Sequence, residues 1–82
     1  MEHRLIFTED FLKDISKLDH SVKVHLKNLY CKIKENPRRF RPLHGDANSY
    51  RIRIMNFRLM YKVAGEKIFM LRFENRDKVY RR

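Results

Sequence analysis

The stretch Tyr50 to Val63, YRIRIMNFRLMYKV, constrains the fold more than any other part of the chain. Apolar and cationic side chains alternate along it with the period of a β-strand, and the alternation resumes after Asn56. A two-residue turn at Asn56-Phe57 predicts the cross-strand pairs Met55/Arg58, Arg53/Met60 and Arg51/Lys62 on one face of a hairpin. Ile54/Leu59, Ile52/Tyr61 and Tyr50/Val63 then fall on the other face. A single register therefore separates charge from oil along the whole hairpin. The expected product is an apolar side for the core and an exposed side carrying Arg51, Arg53, Arg58 and Lys62.

The flanking segments supply what that hairpin would pack against. Arg4 to Phe7 reads as a first strand. Thr8 is placed to cap a helix, and Glu9 and Asp10 suit the positive end of its dipole. Phe11, Leu12, Ile15 and Leu18 form one helical stripe. Asp19-His20-Ser21 offers a second cap. Val22, Leu26, Leu29, Tyr30 and Ile33 line the second helix, which Asn36-Pro37 ends. So short a link between two helices predicts an αα-hairpin. Residues 38–49 read as a loop, rich in turn formers, with Phe40 and Leu43 anchoring it. Ala64-Gly65-Glu66 is the next turn. Lys67 to Phe73 is a fourth strand whose apolar residues fall on both parities, which predicts a central strand covered on both sides. Residues 74–82 form a polar tail. The order β-α-α-β-β-β predicts an α+β domain, 1–82, with an antiparallel four-stranded sheet and a helical hairpin on one face.

Charge narrows the function. The chain of 82 residues has 20 Lys and Arg against 10 Asp and Glu, a formal net charge of +10. Residues 1–36 carry a net +1 and residues 37–82 a net +9; ten of the eleven arginines lie in the second part. Arginine grips phosphate as a planar fork, so this excess favours a polyanion or an acidic protein as partner. Cys31 is alone, which excludes an internal disulfide and a cysteine-based metal site, and its helical setting predicts a small buried side chain. The four histidines lack metal-ligand spacing, and no metal or cofactor is expected. MEHRLIF has no apolar signal region and no run reaches the length of a membrane span, so a cytoplasmic protein without membrane contact is expected.

Phosphate loops, glycine fingerprints and nucleophile elbows are absent from the sequence. The remaining chemistry is cationic: Arg51, Arg53, Arg58 and Lys62, with Arg76 and Tyr80 from the tail, and Arg38, Arg39 and Arg41 from the loop. Such a set can bind nucleic acid through its phosphates. It can also serve metal-free RNA cleavage, in which a 2′-hydroxyl attacks the adjacent phosphate. That reaction needs a base, cations for the phosphorane charge and a donor for the leaving oxygen. Arginine suits the second task and is a poor base.

YRIRIMNFRLMYKV, followed by an apolar strand and NRDKVYRR, resembles the RelE/ParE superfamily of toxins from toxin–antitoxin pairs, over the whole chain. RelE-like membership implies ribosome-dependent cleavage of mRNA, and an acidic antitoxin as partner. By position, the resemblance implies that Arg58 matches the arginine that supports the phosphate, Arg76 the tail arginine that protonates the leaving group, and Tyr80 the tail tyrosine that activates or orients the 2′-hydroxyl. Arg51 and Arg53 stand where such members often have lysines, Asn75 where many have histidine, and Phe57 where a tyrosine is common. ParE-like membership implies inhibition of DNA gyrase instead, and a third reading is a basic domain that binds nucleic acid or antitoxin without catalysis.

Overall fold

A mixed sheet of five strands carries the helical hairpin on one face in a computed structural model that describes residues 3–43 and 45–75. In chain order the elements are β1 (Arg4–Phe7), α1 (Glu9–Ile15), α2 (His20–Glu35), β2 (Pro42–Leu43), β3 (Asp46–Ile54), β4 (Phe57–Ala64) and β5 (Lys67–Asn75). The sheet order is β1-β5-β4-β3-β2. The α+β class agrees with expectation, but two details do not. The sheet has five strands, because part of the expected loop pairs as β2 with an early extension of β3. And β1 runs parallel to β5, while the other neighbours are antiparallel. A parallel partner needs a long crossover, which the intervening chain provides, and nothing in the local pattern RLIF encodes its direction.

One core lies between helices and sheet. Phe11, Val22, Leu26 and Ile33 from the helices meet Tyr50, Leu59, Tyr61, Val63, Ile68, Met70 and Phe73 from the strands. The Thr8 hydroxyl accepts from Phe11 N at 3.2 Å, so the first cap forms as its sequence predicts. Asp19 stands at the second N-cap without a side-chain cap bond. Two helix residues depart from expectation. Leu12 is 49% exposed, and Cys31 is exposed rather than buried. α1 has only seven residues, so its contact face is narrow and Phe11 alone is buried there. No described helix is long and apolar enough to cross a membrane.

The hairpin forms one residue away from its expected turn. Met55-Asn56 is the turn, and the pairs are Ile54↔Phe57, Arg53↔Arg58, Ile52↔Leu59, Arg51↔Met60, Tyr50↔Tyr61 and Ser49↔Lys62. Every pair is displaced by two residues, an even shift that leaves each side chain on its predicted face. The cause is Phe57. Freed from the turn, it stacks on Phe73 with ring centroids 4.7 Å apart. Met55 takes the left-handed conformation instead, with φ 55.

β5 corrects the expectation of a strand covered on both sides. Its pairing with β4 shifts between Met60 and Tyr61, leaving Leu71 as the extra residue of a bulge. The bulge switches phase, so Ile68, Met70 and Phe73 all reach the one core. Beyond the end of β1, α1 covers the β5 edge. Thr8 donates from its hydroxyl to Met70 O at 2.8 Å, and Asp14 Oδ2 accepts from Phe73 N at 2.8 Å.

Candidate nucleic-acid interface

The face of the sheet turned away from the core is built by the same alternation that builds the core. Register places Arg53, Arg58 and Glu74 in one row across β3, β4 and β5. Arg51, Met60 and Arg72 form the next, and Ser49, Lys62 and Phe69 the third. On this outer face Arg51, Arg53 and Lys62 are exposed and Arg58 is half-buried. Among the described residues none of these four makes an ion pair. Arg53 and Arg58 stand directly opposite each other, a like-charge pair that costs stability unless an anion lies between them.

The loop arginines divide. Arg41 O accepts from Arg51 N at 3.3 Å, which sets Arg41 beside the outer face. Arg38 is drawn elsewhere. It donates from Nη1 to the Tyr50 hydroxyl at 3.0 Å and from Nη2 to Asn48 Oδ1 at 3.4 Å. Tyr50 points to the core, where its ring stacks on Tyr61 at 5.2 Å, so Arg38 serves the packing of that pair. Arg39 lies over the Phe40 ring, 5.8 Å from its centroid. Arg76 and Tyr80 lie outside the described residues.

Sequence reasoning missed two neighbours. Arg72 joins the outer face by register, but its guanidinium is held at the sheet edge by Asp14, through Nε to Oδ2 at 2.8 Å and Nη2 to Oδ1 at 3.2 Å. Burial raises the Asp14 pKa, but the Arg72 hydrogen bond, the Phe73 N–H and the guanidinium charge outweigh it and leave it below the usual carboxylate range. Glu74 is the second. It stands opposite Arg58, with one oxygen 4.0 Å from Arg72 Nη2. The strand pattern of β5 could not place either residue without the bulge. Two described tyrosines are unsuited to accepting a proton. Burial pushes Tyr30 up to about 12, and burial together with Tyr50 pushes Tyr61 higher still.

Chemically, the face offers a guanidinium array that suits a phosphate backbone, with one carboxylate in its first row. Comparison with known proteins agrees with its architecture. Residues 5–80 match the family described as the ParE toxin of type II toxin–antitoxin system, parDE. The fold is similar to a free-state structure of E. coli toxin RelE carrying two arginine-to-alanine substitutions, with 28% identity, TM-score 0.81, and 95% of this chain and 87% of that one covered. It is similar to a chain of the intact E. coli RelBE toxin–antitoxin complex, at 29% identity, TM-score 0.79, and coverage of 89% and 95%. It also shares its fold with a chain of the RelB–RelE complex from Methanococcus jannaschii, at 23% identity, TM-score 0.74, and coverage of 92% and 94%. No curated protein matches the chain.

Proposed function

This chain belongs to the ParE toxin family of type II toxin–antitoxin systems, within the RelE/ParE superfamily, and we propose that it acts on messenger RNA in the ribosome through the outer face of its sheet. The observation that carries this reading is the gathering of Arg51, Arg53, Arg58 and Lys62 on one face, none of them in an ion pair among the described residues.

The reaction these groups suit is metal-free transesterification. The 2′-oxygen of a ribose attacks the adjacent phosphorus, the bond to the 5′-oxygen breaks, and a 2′,3′-cyclic phosphate and a 5′-hydroxyl result. Arg58, flanked by Arg53 and Arg51, holds the negative charge that builds on the phosphorane. Lys62, Arg41 and Arg39 steer the backbone towards it. Arginines do not take a proton at neutral pH. Glu74, opposite Arg58, is a carboxylate on this face that can, and we assign it the 2′-hydroxyl proton. The family resemblance gives Tyr80 the orientation of that hydroxyl and Arg76 the proton for the leaving oxygen. No metal or cofactor enters this scheme. The partner that silences the toxin is an acidic antitoxin, which a net charge of +10 and the likeness to toxins in RelBE complexes support.

Primer extension on a message under translation, with purified protein and ribosomes, tests this reading. Cuts that need both ribosomes and Arg58 are expected; an intact message at every codon rejects it. A second reading, inhibition of DNA gyrase, is favoured by the ParE family match. It is rejected if supercoiling proceeds unchanged at high protein excess.

A further inference from the structure

The outer face does not stop at the hairpin. At the β1–β5 corner the register continues through Arg4↔Lys67 and Ile6↔Phe69, with Ala64 opposite Lys67 and Lys62 opposite Phe69. The alternate residues Leu5, Ile68 and Met70 pack in the core, so Arg4, Lys67 and Phe69 face outwards. A groove opens there, lined by His3, Arg4, Ala64, Glu66, Lys67 and Phe69. Arg4 and Lys67 are exposed and stand side by side without an ion pair to Glu66 or any other described residue. They repeat, at the far corner, the opposed cations Arg53 and Arg58. Phe69 lies half-buried between them and Lys62, and no described ring packs on it. His3 is held at the rim by donating from Nδ1 to the Lys34 carbonyl at 3.1 Å.

We propose that this corner is a second nucleotide subsite, in which Arg4 and Lys67 bind an RNA phosphate and Phe69 offers its face to an unpaired base. A cationic track with an aromatic platform is what single-stranded nucleic acid requires, because every base has a π-face to stack and every linkage a charge. Glu66 adds one negative charge to the groove, and Arg4, Lys67 and neighbouring Lys62 leave the corner cationic. Lys67 and Glu74 are the outer-face ends of β5, about 20 Å apart at roughly 3.3 Å per residue, so the subsite holds a nucleotide several linkages from the one at Arg58. The inference rests on the reading above, that the outer face carries RNA.

Fluorescence anisotropy with two labelled single-stranded RNAs tests it, one of about 3 nucleotides and one of about 12, the longer inside the span that small single-strand-binding folds cover. Lys67→Glu is expected to weaken the longer RNA at least tenfold and to flatten its salt dependence, leaving the shorter unchanged. Arg4→Gln and Phe69→Leu should each weaken the longer RNA severalfold, and they stand in if Lys67→Glu unfolds. Arg58→Ala should weaken both RNAs. If Arg58→Ala weakens both and none of the three corner variants weakens the longer, the subsite is wrong and the parent reading survives. If Arg58→Ala weakens neither, the parent reading falls and takes the subsite with it.

Discussion

Arg53 and Arg58 face each other across the β3–β4 hairpin, two cations on one pleat with no described counter-ion between them. Opposed like charges destabilise a strand pair by roughly 0.2–1 kcal/mol. Arg53→Thr should therefore raise the denaturation midpoint and weaken RNA binding together. A urea titration alongside an RNA-binding curve checks both, and a variant that loses stability contradicts the pairing. The result would mark the hairpin as a place where fold stability yields to anion binding.

Asp14 closes the β5 edge by accepting from Phe73 N and gripping Arg72. Its side chain is only 16% exposed, so Asp14→Ala leaves a part-buried N–H without a partner. The expected loss is about 2 kcal/mol at neutral pH. The folded pKa lies below the ordinary 3.8, so the contribution is present above that value and is lost as pH falls through the folded pKa. Wild type and variant should differ in thermal midpoint at pH 7 and converge under strong acid.

Tyr61 donates its hydroxyl to Pro37 O at 2.6 Å in the buried core. Tyr61→Phe should cost about 1–2 kcal/mol by leaving that carbonyl unpaired, with no change in RNA affinity. The Tyr61 pKa is raised from 10.0, so its contribution is complete below pH 10 and fades as pH climbs through the folded value. Alkaline unfolding curves should show the variant less sensitive to pH above 10 than the wild type.

Met55 holds φ 55 and is 56% exposed, so its backbone is strained and its side chain packs little. Left-handed geometry costs an ordinary residue about 1–2 kcal/mol. Met55→Gly should stabilise the protein by up to about 1 kcal/mol once the entropy of glycine is set against that gain. Chemical denaturation with an unchanged m-value would confirm it.

Arg58→Ala removes the guanidinium placed on the phosphorane. Its cleavage rate in the ribosome should fall about 100-fold, or roughly 2.7 kcal/mol of transition-state stabilisation. Single-turnover primer extension measures it. An unchanged rate would move the charge-stabilising role to another group.

The two faces of the hairpin are legible in YRIRIMNFRLMYKV because a displacement by two residues preserves parity, so moving Phe57 from the turn into β4 leaves every side chain on its predicted side. The turn itself was not legible. Asn56 attracts a turn by its own chemistry, whereas the stacking of Phe57 on Phe73 depends on a strand distant in sequence. The same holds for β5, whose mixed parity reads as two-sided burial until the bulge at Leu71 is known. It holds again for β1, whose parallel partner, and with it the Arg4 and Lys67 corner, is fixed only by tertiary pairing. Arg38 looked like its neighbours Arg39 and Arg41 in the sequence, but a tyrosine hydroxyl claims it. Local chemistry thus revealed which residues carry the charge, and long-range register decided which of them share a surface.

RNA bound to the outer face and RNA bound to the helical lysines would touch opposite sides of the protein. Backbone amide shifts of isotope-labelled protein, followed during titration with a single-stranded RNA, report that contact residue by residue. Shifts concentrated at Arg51, Arg53, Arg58 and Lys62, with the α2 lysines Lys23, Lys27 and Lys34 unmoved, are the predicted result. Shifts confined to those helical lysines, or none at any RNA excess, would contradict it.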